Sequence, residues 1–230
     1  MPLPASKDFK TVNAPYADKQ ILLTDITEYA NKGQIVFAGM INDELKSMLF
    51  KNGLRVYDYF KREELMVKNA VPTAQGVIKI IIDNIITTIR GLWCCVTGFG
   101  RTSKVLAKQL KALGADVTVA VRKCSDMAWI EIEGYKGIYI KDLHKNADQF
   151  DVIINTVPTL IIGESILKNL NDHCFIIEIA SAPWGIDFTA AQELGIKVIR
   201  AGSLPGKVTP KTAGEIISEA IVNIIEEEKR

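Results

Sequence analysis

Leu92-Trp93-Cys94-Cys95-Val96-Thr97 is an apolar run of strand length, and Gly98-Phe99-Gly100-Arg101-Thr102-Ser103 follows it directly. A helix-forming stretch from Thr102 to Leu113 comes next, then Gly114, then a second apolar run from Asp116 to Val121. Strand, glycine turn, helix, glycine, strand is the opening of a nucleotide-binding βαβ unit. In such a turn the first glycine permits the bend and the second lets backbone approach a pyrophosphate. The third position packs helix on strand, and here it is Ser103. The helix start adds free N–H groups and the positive end of its dipole. Gly98, Phe99, Gly100, Arg101 and Thr102 are therefore the candidate phosphate-binding residues. Arg101 either reaches the phosphates or is a solvated charge. The competing reading is a glycine turn that only reverses the chain.

The end of the second strand selects the dinucleotide. A site for NAD usually carries Asp or Glu there to hold the ribose hydroxyls. This chain has Val121-Arg122-Lys123 instead. Two cations suit a 2′-phosphate, which a guanidinium grips through paired, charge-assisted hydrogen bonds. The expected cofactor is NADP, with NAD less favoured. The bland alternative is two solvated charges after a strand.

Working outward, further strands are predicted at 137–140, 152–155, 174–179 and 197–200, with helical segments between them. Short apolar runs alternating with helices mean parallel strands joined by crossovers. The fold class is α/β: a Rossmann-type doubly wound parallel sheet with a second, smaller α/β domain that looks cut short. Residues 91–209 would form the Rossmann domain. Residues 1–72 would form the smaller domain, with strands at Gln34–Gly39 and Leu54–Tyr59 around a helix begun by Asn42. A C-terminal helix over 210–230 would pack back on it through Ile216, Ile217, Ala220, Ile221, Ile224 and Ile225. Residues 73–90 read as a buried interdomain helix, started by Pro72 and stopped by Gly91. A strand pair competes there, because β-branched residues dominate.

Asn155-Thr156-Val157-Pro158 and Ala180-Ser181-Ala182-Pro183-Trp184-Gly185 end two later strands, at the edge where open α/β sheets bind ligands. Thr156, Val157, Pro158 and Ser181 are assigned to the nicotinamide side of the cofactor. The Leu204–Gly214 loop crosses the same edge and carries Lys207; for each of these three segments the competing reading is ordinary loop punctuation. The other residues have ordinary readings. Trp93 and Trp129 are core, and His144 and His173 are surface histidines without partners.

The chain has 230 residues, enough for one large or two small domains at ~100–200 residues each. Lys+Arg is 28 against Asp+Glu 27, so nothing favours nucleic acid or an anionic membrane as partner. No uninterrupted run of ~18 apolar residues or N-terminal signal is visible, and four cysteines without metal spacing fit a reducing, cytoplasmic setting. No metal site is expected.

Several of these segments together resemble the A-subunit family of dipicolinate synthases from spore-forming bacteria. They are Asn69–Gly76, Thr97–Thr102, Leu110–Ala115, Ile154–Pro158, Ala180–Asp187 and, most specifically, Leu204-Pro205-Gly206-Lys207-Val208-Thr209-Pro210-Lys211-Thr212-Ala213-Gly214. The resemblance implies an oxidoreductase that makes dipicolinate from a dihydrodipicolinate-type precursor with a nicotinamide cofactor. It also implies a partner, the flavoprotein-like B subunit, and work in the mother cell during sporulation. A homo-oligomer is expected. The substrate is a small dicarboxylate, for which Thr73, Ser181 and Lys207 are the candidate binding groups. It is expected between Asn69–Gly76 and Leu204–Gly214.

The chain departs from the family pattern in four places. A glycine-rich strand–helix stretch expected at the start is missing, and Ser103 replaces a glycine. Gln75 stands where an acidic residue is expected, and Trp184 stands where glycine is expected and would crowd the cofactor edge. No catalytic acid or base can be named. Two rival functions remain: a nucleotide-binding regulatory or assembly subunit, and another small-acid NAD(P)-dependent dehydrogenase. The latter class needs a catalytic histidine with Arg and carboxylate partners.

Overall fold

The computed structural model describes residues 1–229, which divide into two compact units. Met1–Asn69 and the stretch from Lys211 onward make the first, and Ala70–Pro210 the second.

The first unit contains α1 (Leu23–Tyr29), β1 (Ile35–Ala38), α2 (Asp43–Lys51) and β2 (Arg55–Asp58). Asn42 caps α2, its side chain accepting from the Leu45 N–H at 2.8 Å. That helix carries the chain over so that β1 and β2 pair in parallel, Ile35 opposite Arg55. Two strands alone are marginal. Ala5, Leu23, Leu45, Leu49 and Leu54 supply a small apolar core beside them.

Next comes α3 (Glu63–Asn84), whose first turns belong to the first unit. The helix predicted to start at Pro72 and run to 90 begins nine residues earlier and passes through the proline. Glu63 and Glu64 suit the positive end of its dipole, and Leu65, Ala70, Ala74, Val77 and Ile81 bury its inner stripe. That burial outweighs an interior proline's cost of about 3 kcal/mol. The helix stops at Asn84, whose amide donates to the Ile80 carbonyl at 2.7 Å, a local bond that competes with the helical ladder. Ile86 beyond it is fully exposed, not packed as the helical pattern implied. By length and composition α3 could cross a membrane. Its surface nevertheless carries the Lys79–Asp83 ion pair, and Val77 and Ile81 are buried in the second unit's core.

The second unit continues with β3 (Trp93–Thr97), α4 (Arg101–Ala112), β4 (Asp116–Val121), α5 (Cys124–Ile132), β5 (Lys136–Tyr139) and β6 (Val152–Asn155). Then follow α6 (Glu164–Leu167), β7 (Phe175–Glu178), α7 (Phe188–Glu193), β8 (Val198–Arg200) and α8 (Leu204–Val208). The strands form one parallel sheet in the order β5-β4-β3-β6-β7-β8, which is the Rossmann order. Strand side chains alternate between two cores. Cys94, Val96, Val119 and Ile154 face α3 and α4, and Cys95, Ala120, Ile153 and Ile176 face Phe150, Ile166 and Ala191.

Finally α9 (Pro210–Glu228) enters the first unit. Its Ala220 and Ile224 pack with Tyr59 and Leu65, while Glu219 pairs with Lys68 and Glu227 with Arg62. Contrary to the sequence reading, Trp93 and Trp129 are 36% and 54% exposed. Lysine ammonium groups cover both, Lys136 over Trp93 at 4.5 Å and Lys104 over Trp129 at 5.7 Å.

Candidate functional site

Strand order reverses between β3 and β6, and an open α/β sheet has its crevice outside the carboxyl ends at that point. The glycine turn sits there. Gly98 has φ +80°, and its N–H donates to the Ala120 carbonyl at 2.8 Å. A Cβ on it would lie 2.9 Å from Val157 Cγ2 and 3.0 Å from Thr156 Oγ1. Backbone hand and space both demand glycine.

Gly100 is different. Its backbone is extended, and a Cβ there would meet no atom within 4 Å. It stands at the N-terminus of α4 and offers no side-chain cap to the N–H groups of the first turn. A bare glycine at the start of a 12-residue helix, with open space above it, fits a phosphate-bearing cofactor. Arg101 and Thr102 lie on that first turn, Arg101 exposed. Phe99 turns its ring into the core, edge-on to Tyr135 with Lys104 above it at 5.0 Å, so it offers main chain to the site.

Ser103, the departure at the third position, is fully buried. Its hydroxyl meets that of Thr156 at 2.8 Å, and Thr156 in turn donates to the Thr97 carbonyl at 2.6 Å. Ser103 therefore donates to Thr156 and ties α4 to the end of β6. The serine replaces close packing with a hydrogen bond, and the Thr156 hydroxyl is engaged within the protein.

Arg122 and Lys123 are exposed beyond β4 and have no acidic partner among the described residues. Tyr139, at the end of β5, flanks them and hydrogen-bonds the Cys124 sulfur at 3.6 Å.

One part of the site was not legible in the sequence. Thr97, Asn155 and Glu178 face one another across β3, β6 and β7. All three are buried, Glu178 to 2% exposure. The Thr97 hydroxyl donates to Asn155 Oδ1 at 2.6 Å, and Asn155 Nδ2 donates to both Glu178 oxygens at 2.9 Å. Glu178 also accepts from the N–H groups of Ala180 at 2.8 Å and Gly185 at 2.9 Å. Asn155 accepts from the Val157 N–H and donates to the Val157 carbonyl. One carboxylate thus anchors both loops assigned to the nicotinamide side. Gly185 is required by the same crowding, because a Cβ would sit 2.4 Å from Asn155 Nδ2. The only sequence signal was an acidic residue inside the apolar run Phe175–Ile179.

Among the substrate candidates, Thr73 is half-buried on α3, while Ser181 and Lys207 are exposed, after β7 and on α8. Gly76 packs on Leu204, where a Cβ would lie 2.9 Å from that side chain, so the two segments meet at that point. Trp184 stands in the loop after β7. Its indole packs edge-on to Phe188 at 5.8 Å, beneath the Arg200 guanidinium.

Two concavities of the second unit, about 620 and 440 Å³, lie at the opposite edge of the sheet. They are lined by the first residues of β3 and β7 and by His173, so their volume does not mark the ligand edge. His173, read as unpartnered, hydrogen-bonds Asp151 at 2.9 Å there. It is misplaced for a catalytic histidine at the glycine turn. Burial pushes the Cys94 and Cys174 thiols up to about 12, and Cys95 higher, so none supplies a thiolate near neutrality. No metal-ligand cluster occurs among the described residues.

Strand order, switch point and glycine turn together define a dinucleotide-binding unit of the dehydrogenase kind. The transhydrogenase of Sinorhizobium meliloti shares this fold, with TM-score 0.75 at 14% identity, covering 90% of this chain and 71% of the other. Closer relatives give the family. Residues 1–60 match the model of the N-terminal domain of the dipicolinate synthase A-subunit. The chain is 29% identical over 228 residues to the dipicolinate synthase A-subunit of Bacillus subtilis, covering 99% of this chain and 77% of that one. The crystal structure of the Bacillus halodurans A-subunit superposes with TM-score 0.89 at 30% identity, over 97% of this chain and 78% of the other. The chain belongs to the dipicolinate synthase A-subunit family and spans about three quarters of the length of these relatives.

Proposed function

We propose that the chain is an NADP-linked oxidoreductase subunit that forms dipicolinate from a dihydrodipicolinate-type precursor. The observation that carries this reading is the open glycine turn at the switch point of a chain in this family. A bound nicotinamide cofactor would supply the hydride chemistry. The protein's part is to bind and orient. The turn from Gly98 to Thr102 would hold the pyrophosphate, and Arg122 with Lys123 the 2′-phosphate. Val157, Pro158 and Ser181, with Thr156 main chain, would border the nicotinamide. Thr73, Ser181 and Lys207 would face the dicarboxylate.

The same reading takes the flavoprotein-like B subunit for a partner, with a homo-oligomeric assembly and a cytoplasmic place in the mother cell during sporulation. A second reading, a regulatory or assembly subunit, is favoured by one observation. Glu178, the buried acid of the carboxyl edge, has both carboxylate oxygens engaged by N–H donors and is committed to holding the loops.

Cofactor preference tests the proposal. The wild type binds NADPH more tightly than NADH, and Arg122→Ala erases most of the difference. A charge-assisted phosphate contact contributes about 1.5–3 kcal/mol, roughly tenfold to a hundredfold. Calorimetric titration of both proteins with both cofactors reads it directly. A wild-type preference for NADH, or an equal loss for both cofactors, contradicts the assignment.

A further inference from the structure

Trp184 and Arg200 have no role in the cofactor reading, yet the fold builds them into one group. Thr97, Asn155, Glu178 and Arg200 are successive register partners across β3, β6, β7 and β8, so they form one polar row at the carboxyl edge. The first three close on one another. Arg200, at the exposed end, does not join them. Its guanidinium lies 3.7 Å from the centre of the Phe188 ring and 4.9 Å from that of Trp184. It makes no hydrogen bond or ion pair to any described residue. Both rings come from the segment that follows Glu178. Trp184 holds a left-handed backbone (φ +63°), uncommon for a bulky residue, and its N–H donates to the Ser181 carbonyl at 3.0 Å.

Two aromatic faces fix the plane of a guanidinium without using its N–H donors. A flexible cation is thereby oriented in advance at the edge of the sheet where ligands bind, beside the loop that carries Ser181. Its fork matches a carboxylate in geometry and charge. The geometry points to Arg200, seated on Trp184 and Phe188, as the binding point for one carboxylate of the substrate. Trp184, which departs from the glycine expected in the family, is then the residue that positions this arginine. The assignment rests on the dicarboxylate reading proposed above.

The test is calorimetric titration of the full chain, saturated with NADPH, with dipicolinate as the probe. Arg200→Gln weakens dipicolinate about tenfold to a hundredfold, the range of one charge-assisted pair. Arg200→Lys keeps the charge but not the fork and falls between. Trp184→Gly, which suits the left-handed backbone, loses affinity by releasing the guanidinium. NADPH affinity stays within about threefold of wild type in both Arg200 variants, because β8 lies three strands from the glycine turn that follows β3. Wild-type dipicolinate affinity in Arg200→Gln overturns the Arg200 assignment and leaves the dicarboxylate reading standing. Joint loss of NADPH and dipicolinate overturns it as well, by making Arg200 a structural residue. No dipicolinate binding by the wild type overturns the dicarboxylate reading, and the assignment with it.

Discussion

Gly100→Val abolishes binding of NADPH and NADH while the protein still folds. An extended backbone accepts valine, and its Cβ enters space where no atom beyond the adjoining backbone lies within 4 Å. The apo protein loses only the difference between glycine and a β-branched residue at a helix N-cap, about 1 kcal/mol or roughly 2–4 °C in thermal midpoint. The same atoms would occupy the position of a pyrophosphate against the first turn of α4. The readout is thermal unfolding with and without cofactor. A ligand at a hundred times its Kd stabilises by about 2.7 kcal/mol, so the wild-type midpoint rises by roughly 5–10 °C. The valine variant shows no rise. A variant stabilised as much as wild type would move the phosphate site elsewhere.

Glu178→Gln lowers stability by about 3 kcal/mol, or roughly 6–12 °C in a protein of this size. Glu178 receives N–H donors on both oxygens, from Asn155 on each and from Ala180 and Gly185 on one apiece. Glutamine keeps one accepting oxygen and places an NH₂ group where the other stood. Either the Ala180 or the Gly185 N–H then faces a donor in a buried site. The neutral replacement also forfeits the stronger hydrogen bonds made to a charged acceptor. Both loops proposed to border the nicotinamide hang from this carboxylate, so cofactor affinity is expected to fall together with stability. Asn155→Ala removes the shared partner, and its effect is strongly non-additive with that of Glu178→Gln. An unchanged midpoint in Glu178→Gln would show that the loops are held by something else.

The sequence made the nucleotide-binding core legible because its signals are local. β4 and β6 were placed to the residue, at Asp116–Val121 and Val152–Asn155, and β3 to within one residue. Apolar strand runs and glycine turns depend on a few neighbouring positions. The helix through Pro72 was misplaced because a proline at a possible helix start is ambiguous. Burial of Leu65 and Ala70, which decides it, comes from residues distant in sequence. The tryptophans were misplaced for a related reason: Lys136 and Lys104, both far along the chain from the rings they cover, shield Trp93 and Trp129 at the surface. Glu178 went unseen because its donors lie on β6 and on the loop to Gly185. The Arg200 seat depends on β8 lying beside β7, which composition does not encode.

The most direct measurement follows dipicolinate and reduced cofactor together. The purified chain, alone and with the B subunit, is supplied with NADP⁺ and a freshly generated dihydrodipicolinate-type precursor. The ultraviolet bands of the pyridine dicarboxylate and of reduced nicotinamide are recorded in the same cuvette. The account predicts that the two products accumulate one for one, and that Gly100→Val produces neither above the uncatalysed rate. Dipicolinate formed by the wild type without reduced nicotinamide, or formed equally by Gly100→Val, would contradict it.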